Sequence, residues 1–224
     1  MDSNTLYTAR RNMVESQLRC CKVLNPNIIE LLMDSPREKY LPEHVRSLAY
    51  MEGSVPLPQK QEMLTPLQEA QIIQAVNLKG TEKVLEIGTG SGYLTSLLAL
   101  LGNEVISCEI HEELAALARQ NLANNGIDNA KVVHVNAMNQ AELTASSIGK
   151  DFDVIVIGAA VARIPAHIQS LLASQGQIIA FVGDDDIVTL EHHVIDASTI
   201  TSKGITETRL LAMEGIIKTR EFVF

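Results

Sequence analysis

Short apolar runs alternate with helical patterns along the second two-thirds of the chain. The runs are rich in Val and Ile and have the length of buried strands. They lie at 84–87, 105–108, 132–135, 154–157 and 177–182. Helical patterns lie between them at about 93–101, 112–124 and 164–173. This alternation predicts βαβ units, in which helices cover both faces of a parallel sheet.

The two ends of the chain carry different patterns. Residues 5–48 predict helices, because apolar positions recur at helical spacings, and Ser-Pro-Arg at 35–37 interrupts them. Residues 50–65, which contain two prolines and a glycine, predict an irregular loop. A helix is predicted over 66–77. The tail from residue 187, rich in Val, Ile and Thr, predicts two or three antiparallel strands at the sheet edge.

Length and composition favour one domain with appendages. A chain of 224 residues with 46% hydrophobic content can bury one sizeable core. We expect an N-terminal helical extension with a substrate-side loop over 1–78. A Rossmann-like core with C-terminal strands is expected over 79–224. The fold class is thus α/β, with a doubly wound sheet.

Several classes of protein are disfavoured by composition. The longest apolar stretches fall far short of the roughly 20 residues that span a bilayer, and the N-terminus lacks the apolar core of a secretory signal. We therefore expect a cytoplasmic protein with no membrane partner. A net charge of −9, no Trp and 4% aromatic residues disfavour binding to nucleic acid.

The three cysteines predict neither a metal site nor a disulfide framework. Cys20 and Cys21 are adjacent, and Cys108 is isolated. This arrangement lacks the C-x-x-C spacing of zinc and redox sites and the even number typical of disulfide-stabilised proteins. We interpret all three as reduced thiols and expect no bound metal.

The sequence VLEIGTGSGY at 84–93 predicts a nucleotide site, because it sets three alternating glycines between a strand and a helix. Gly88, Gly90 and Gly92 allow a sharp turn and a close approach to a ligand. Tyr93 stands where the dinucleotide fingerprint requires a small residue, which disfavours NAD and its pyrophosphate. S-adenosylmethionine carries no phosphate and fits better. A tight turn without a ligand is the alternative.

Further cofactor contacts follow from this arrangement. Glu86 can face the ligand's ammonium, directly or through water, while backbone N–H groups near Gly88 and Gly90 receive its polar atoms. We assign Thr89 and Ser91, inside the turn, to the same site. Glu109, at the end of the second strand, can accept hydrogen bonds from ribose hydroxyls. A carboxylate that merely favours a helix N-terminus is the alternative for Glu109.

The end of the third predicted strand is expected to border the adenine. Asn136 can hydrogen-bond an amino group and a ring nitrogen. Ala137 lies beside it, and Met138 can cover the base. A turn without a ligand-binding role is the alternative for these three residues.

The chain resembles the protein-L-isoaspartate O-methyltransferase family over most of its length. The N-terminal part of the resemblance is the more specific one, since many methyltransferases share the glycine motif. It rests on MVE at 13–15, QL at 17–18, PREKYLP at 36–42, AY at 49–50 and PLP at 56–58. Further along it rests on EIGTGSGY at 86–93, FD at 152–153, GAA at 158–160, Pro165 and VG at 182–183.

The resemblance implies a Rossmann-like class I methyltransferase fold and a protein-repair reaction. The family uses S-adenosylmethionine to methylate the abnormal α-carboxylate of L-isoaspartyl residues in proteins and peptides. A carboxylate is already ionised near neutral pH, and attack on the sulfonium methyl is governed by positioning. We therefore expect hydrogen-bond donors for the carboxylate and no catalytic triad, so that the histidines need no catalytic role.

The substrate loop departs from the family pattern. Where the family has GQTISQP, this chain has KQEMLTP at 60–66, so that Glu62 replaces a threonine and Leu64 a serine. An anionic Glu62 repels an isoaspartyl carboxylate, and Leu64 donates no hydrogen bond. Thr65 is the nearest surviving hydroxyl. The acceptor-side candidates are therefore Thr65, Gln61 and, at the family's serine position, Leu64.

A second departure lies near the adenine, where the family's Gly-Asp-Gly reads Val-Asn-Ala at 135–137. Three functions stay open from these observations. The first is isoaspartyl methylation. The second is methylation of another acceptor, neutral or cationic, that Glu62 could hold. The third is a noncatalytic S-adenosylmethionine-binding protein. The sequence determines neither the oligomeric state nor the cofactor affinity.

Overall fold

The N-terminal part of the chain is a succession of short helices in the computed structural model, which describes residues 3–196 and 199–216. The helices are α1 (Ser3–Asn12), a π-helical stretch (Met13–Leu18), a 3-10 turn (Arg19–Cys21), α2 (Pro26–Asp34) and 3-10 turns at Arg37–Tyr40 and Glu43–Leu48. The helical pattern predicted over 5–48 is confirmed as separate pieces. The interruption falls at Ser35 and Pro36, as predicted, since proline restricts the residue before it.

A small hairpin follows these helices. β1 (Val55–Pro56) pairs antiparallel with β2 (Glu62–Met63), and a 3-10 turn at Pro58–Lys60 lies between them. The prediction of an irregular loop over 50–65 is wrong at this point. Strands of two residues are too short to leave a periodic pattern in the sequence.

α3 (Pro66–Val76) begins directly after the hairpin, close to its predicted bounds. Thr65 caps it: the hydroxyl oxygen accepts from the backbone N–H of Gln68, and the Gln68 side chain accepts from the backbone N–H of Thr65. This reciprocal pair satisfies two N–H groups that would otherwise lack partners at the start of the helix. Proline at the first helical position loses no hydrogen bond there.

Seven strands form the central sheet. They are β3 (Lys83–Ile87), β4 (Glu104–Glu109), β5 (Ala130–His134), β6 (Phe152–Val161), β7 (Leu172–Val182), β8 (Val188–Asp196) and β9 (Thr199–Thr208). Their order is β5-β4-β3-β6-β7-β8-β9. The first five are parallel, whereas β8 and β9 are antiparallel to their neighbours. The predicted parallel sheet and its antiparallel C-terminal edge are both confirmed.

The helices between the strands are α4 (Tyr93–Leu101), α5 (Glu112–Asn124), α6 (Gln140–Ala145) and α7 (Ala166–Gln169). The first two match their predicted bounds, and α6 was not predicted. The helix predicted over 164–173 is wrong beyond residue 169, because Leu172 pairs with Phe152 as the first residue of β7. Sheet pairing overrides local propensity there.

Core residues alternate between the two faces of the sheet. On β6, Val154 and Val156 pack with α3, α4 and the N-terminal helices, whereas Ile155 and Ile157 pack with residues of α6 and α7. This is the two-residue period of a strand buried on both faces. No helix in the described ranges is long and apolar enough to cross a membrane.

The order of the strands locates the site. β3 has β4 on one side and β6 on the other. The chain adds β4 and β5 on one side of β3 and then crosses over to add β6 and β7 on the other, so that the strand order reverses at β3. In open α/β sheets, ligands bind at the carboxyl ends of the strands next to such a reversal. The glycine turn follows β3 at that point.

Candidate functional site

A cleft opens at the carboxyl ends of β3, β4, β5 and β6. Including its open mouth and the solvent space there, it has a volume of about 910 Å³. The strand ends form one wall. The opposite wall consists of residues of the β1–β2 hairpin, the start of α3 and the segment that follows β9. The cleft thus joins the predicted cofactor residues to the predicted acceptor loop.

The glycine turn lies in the cofactor wall. Gly88 and Gly90 line the cleft, whereas Gly92 packs against α5, where an added Cβ would lie 3.1 Å from the Ala118 side chain. The N–H of Gly88 donates to the Cys108 carbonyl, and that of Gly90 donates to Glu109. Both N–H groups thus have protein acceptors in this structure, and the contact of N–H groups near Gly88 and Gly90 with the ligand stays a prediction.

Glu86 lies behind the turn and does not line the cleft. Its side chain is fully buried, and one carboxylate oxygen accepts from Thr95 (2.5 Å) and Ser107 (2.6 Å). The other oxygen has no partner in the described part of the chain. Burial raises the pKa of Glu86 to about 8, although the two hydroxyl hydrogen bonds lower it. Its contact with a ligand's ammonium stays a prediction.

Thr89 and Ser91 are also buried and do not line the cleft. The Thr89 hydroxyl is hydrogen-bonded to Ser107, at 2.5 Å, and the Ser91 carbonyl accepts from Asn121, at 2.9 Å. Both residues hold the turn against its neighbours in this structure. Their assignment to the cofactor stays a prediction.

Glu109 ends β4 and lines the cleft, with 4% of its surface exposed. One oxygen accepts from the N–H of Gly90 (2.8 Å) and the other from the N–H of His111 (3.0 Å). These bonds hold the carboxylate in one orientation beside the glycine turn. Carboxylate oxygens have further lone pairs, so that the group can also accept from ribose hydroxyls.

Asn136, Ala137 and Met138 line the cleft after β5, where the adenine was expected. The Asn136 side-chain oxygen, Oδ1, accepts from the N–H of Met138, at 3.0 Å. Its NH₂ group donates to the Gly215 carbonyl, at 3.1 Å. The amide is thus oriented by the C-terminal segment, which was not predicted to reach the site.

The predicted acceptor residues separate into two groups. Gln61 and Thr65 line the cleft, whereas Leu64 is 9% exposed and does not. The Leu64 carbonyl accepts from the Arg37 guanidinium. Placing Leu64 among the residues that act on the acceptor is therefore corrected, because its side chain belongs to the hydrophobic core.

Glu62 and Ser54 line the cleft on the hairpin. The Ser54 hydroxyl donates to the Glu62 carboxylate, at 2.5 Å. Ser54 was missed in the sequence because no motif contains it. Ser54 directly precedes β1 and Glu62 begins β2, so that the hairpin brings together two residues eight positions apart in the sequence.

Arg37 and Glu69 form a buried ion pair that contacts the backbone of the acceptor loop. The Arg37 guanidinium donates to Glu69, to the Leu64 carbonyl and to the Ala49 carbonyl, and it lies over the Tyr93 ring. Arg37 is 1% exposed and Glu69 2%. Burial raises the pKa of Glu69 to about 7, while Arg37 opposes that shift. The motif at 36–42 is the sequence signal that marked this region.

The segment after β9 closes one side of the cleft. Its backbone bonds to β6, through Ala160 N–H to the Leu211 carbonyl (3.0 Å) and Met213 N–H to the Ala160 carbonyl (2.7 Å). Glu214 accepts from the Gln61 side chain, at 2.8 Å, and lies 3.1 Å from His111. The sequence predicted only edge strands here and no catalytic role for the histidines.

Comparisons with known proteins point to one family. The family model for protein-L-isoaspartate(D-aspartate) O-methyltransferases matches residues 9–213. Protein-L-isoaspartate O-methyltransferase 2 of Marinobacter nauticus is 37% identical over 188 residues, which are 82% of each chain. The protein-L-isoaspartate O-methyltransferase of Syntrophus aciditrophicus is 35% identical and covers 92% of this chain and 94% of its own.

Solved structures share the fold. A Plasmodium falciparum protein assigned to the protein-L-isoaspartate O-methyltransferases, in complex with S-adenosyl-L-homocysteine, has a TM-score of 0.77 at 21% identity. The match covers 92% of this chain and 98% of that one. A second protein-L-isoaspartate O-methyltransferase has a TM-score of 0.76 at 20% identity. The N-terminal extension therefore matches together with the central sheet.

Proposed function

This chain belongs to the protein-L-isoaspartate(D-aspartate) O-methyltransferase family, and we propose that it methylates the α-carboxylate of L-isoaspartyl residues in proteins or peptides, with S-adenosylmethionine as donor. The observation that carries the proposal is that one continuous cleft joins the glycine turn and Glu109 to the acceptor residues Gln61 and Thr65. Donor and acceptor sites must be adjacent for a direct transfer.

The cofactor wall fits the chemistry of S-adenosylmethionine. Among the described residues, Arg209 is the one Lys or Arg that lines the cleft, and it lies on the acceptor side. The described part of the cofactor wall therefore has no Lys or Arg that would bind a pyrophosphate. Glu109 would accept the ribose hydroxyls, and Asn136 and Met138 would border the adenine. When bound, the cofactor supplies an electrophilic methyl group on a sulfonium.

The protein's part in the reaction is positioning. The acceptor carboxylate is ionised near neutral pH, so that no general base is needed. The Thr65 hydroxyl oxygen accepts from the N–H of Gln68, which leaves its own proton for a carboxylate. The Gln61 NH₂ group donates to Glu214, at 2.8 Å, and to the Gln59 carbonyl, at 3.5 Å, so that an acceptor carboxylate would replace one of these partners. Fixed donors of this kind hold a nucleophile in line with the methyl group.

The other functions are less well supported. A cationic acceptor is not needed to satisfy Glu62, because Ser54 already donates to that carboxylate. Family membership favours an enzyme over a noncatalytic binding protein. A cytoplasmic location stays a prediction from the sequence.

Methyl transfer to matched peptides tests the proposal. The purified full chain is incubated with labelled S-adenosylmethionine and either an isoaspartyl peptide or its normal aspartyl counterpart. We expect base-labile methyl ester and S-adenosylhomocysteine to form with the isoaspartyl peptide alone. Calorimetry with S-adenosylhomocysteine is run in parallel. Cofactor binding without methylation of the isoaspartyl peptide above the aspartyl control would contradict the proposed acceptor.

A further inference from the structure

The charged side chains of the cleft wall differ in whether they have a hydrogen-bond or ion-pair partner. Each carboxylate has a hydrogen-bond donor: Ser54 for Glu62, backbone N–H groups for Glu109, and Gln61 for Glu214. Arg209 also lines the cleft, and within residues 3–196 and 199–216 its guanidinium has no ion pair or hydrogen bond. The unpartnered charge in the wall is thus a cation, although the chain is acidic.

Arg209 is anchored to the acceptor side of the cleft. The Gln68 side chain donates to the Arg209 carbonyl and to the Thr208 hydroxyl, both at 3.0 Å. The same Gln68 side chain accepts from the N–H of Thr65, at 2.8 Å. One residue therefore ties the backbone of Arg209 to the acceptor loop. The Arg209 side chain itself is exposed.

We propose that the Arg209 guanidinium binds the α-carboxylate of the isoaspartyl acceptor. This inference rests on the proposed function. Glu62 and Leu64 stand where the family has two hydroxyl donors, and Leu64 lies outside the cleft. A guanidinium presents paired N–H donors that match the two oxygens of a carboxylate. Its positive charge also offsets the repulsion that Glu62 exerts on an anionic acceptor.

The charge change in the reaction gives this contact a distinct kinetic signature. Methylation forms a bond from the carboxylate oxygen to the methyl carbon, the methyl–sulfur bond breaks, and the sulfur keeps its electron pair. The acceptor changes from an anion to a neutral ester. Arg209 therefore binds the anionic substrate more strongly than the neutral product, and the carboxylate, still partly charged in the transition state, keeps most of this contact. Losing it raises KM without lowering kcat.

Substitution of Arg209 tests the inference. Initial rates are measured against the concentration of an isoaspartyl peptide for wild type, Arg209→Met and Arg209→Lys. Lys203→Met is the control, because Lys203 is an exposed cation on β9 outside this cleft. We expect Arg209→Met to raise KM about tenfold or more, since charged hydrogen bonds are lost, and Arg209→Lys to raise it less. The kcat should stay within about twofold, and Lys203→Met should match wild type.

Binding measurements separate a substrate contact from a structural one. Calorimetry on protein loaded with S-adenosylhomocysteine compares the isoaspartyl peptide with its α-methyl ester. Wild type should prefer the acid, and Arg209→Met should lose that preference while keeping its affinity for S-adenosylhomocysteine. An unchanged KM and an unchanged preference in a folded Arg209→Met variant of an active enzyme would overturn this inference alone. A wild type that neither methylates nor binds the isoaspartyl peptide would overturn the proposed function as well.

Discussion

The two sides of the cleft are built in different ways. The cofactor side lies on the ends of adjacent parallel strands, and its main carboxylate, Glu109, is held by backbone N–H groups. The acceptor side combines the β1–β2 hairpin with the segment after β9, and side chains such as Gln61 and Glu214 join them. Backbone bonding makes the first side insensitive to the identity of neighbouring side chains. The geometry of the acceptor side, by contrast, depends on the identity of each side chain that joins its segments.

This difference explains the departure from the family pattern in the acceptor loop, although the second departure, at 135–137, lies on the cofactor side. The glycine turn is intact, because Gly90 and Gly92 adopt positive φ values of 55° and 84° that favour glycine. Glu62, by contrast, is exposed on the hairpin and can be exchanged without disturbing the core. We therefore expect substitutions on the cofactor side to abolish binding and substitutions on the acceptor side to adjust turnover.

The largest effect is expected from Gly90→Val. A β-branched side chain is strained at this positive φ, and it would project toward Leu57, which lies 3.5 Å from the position of an added Cβ. We expect affinity for S-adenosylhomocysteine to fall by about 100-fold or more, roughly 2.7 kcal/mol. Calorimetric titration measures the affinity, and circular dichroism measures folding.

Gly126→Val is the matched control for Gly90→Val. Gly126 also has a positive φ, at 71°, and no atom lies within 4 Å of an added Cβ. It introduces similar backbone strain outside the cleft and should keep the affinity of wild type. A folded Gly90→Val protein that binds as the control does would remove Gly90 from the cofactor site.

Glu109→Ala should weaken cofactor binding by about 1.5–3 kcal/mol, because a charged acceptor of the ribose hydroxyls is lost. The variant also leaves the N–H groups of Gly90 and His111 without their acceptor, so that the free energy of unfolding should fall by about 1–3 kcal/mol. Glu104→Ala, at the exposed start of the same strand, is the control. An affinity loss below about twofold, or 0.4 kcal/mol, counts against the ribose assignment.

Restoring the family's hydroxyls tests the acceptor side. From the sequence alone, Glu62→Thr with Leu64→Ser should raise isoaspartyl turnover about tenfold, or 1.4 kcal/mol in the barrier. Because Leu64 is buried outside the cleft, we now expect Glu62→Thr to carry the gain and Leu64→Ser to lower stability. The kcat/KM values of the two single variants and of the double variant show which substitution carries the gain. If Glu62→Thr leaves a robust wild-type turnover unchanged, the charge at this position does not limit the reaction.

Glu86 should make stability depend on pH. Its pKa rises from 4.5 in the unfolded chain to about 8 in the folded protein, so that between these values the folded state binds more protons. Its contribution is fully present below pH 4.5 and is lost as the pH rises toward 8, with a slope of at most about 1.4 kcal/mol per pH unit. Glu86→Gln should remove this part of the slope. Chemical denaturation at several pH values measures it, and parallel curves for the two proteins would contradict the buried, proton-binding state.

Local patterns predicted the glycine turn and the strand end that carries Glu109, whereas the cofactor contacts of these residues stay predictions. The glycine turn needs only a strand, three glycines and a helix in succession, and the bounds of α4 and α5 follow from apolar spacing. Contacts across the fold were not predictable in this way. The Asn136–Gly215 and Gln61–Glu214 bonds join residues 79 and 153 positions apart. No periodicity connects such residues.

By itself, the sequence determined the parallel sheet, the glycine turn and the acid at the end of β4, because strand and helix periods and glycine conformations are local properties. The tertiary structure decided which side chains reach the cleft. It placed Glu86 and Leu64 in the core and brought Ser54, Arg209 and Glu214 to the wall. That choice depends on how the hairpin and the C-terminal segment pack against the ends of the sheet, and packing is a property of the whole chain.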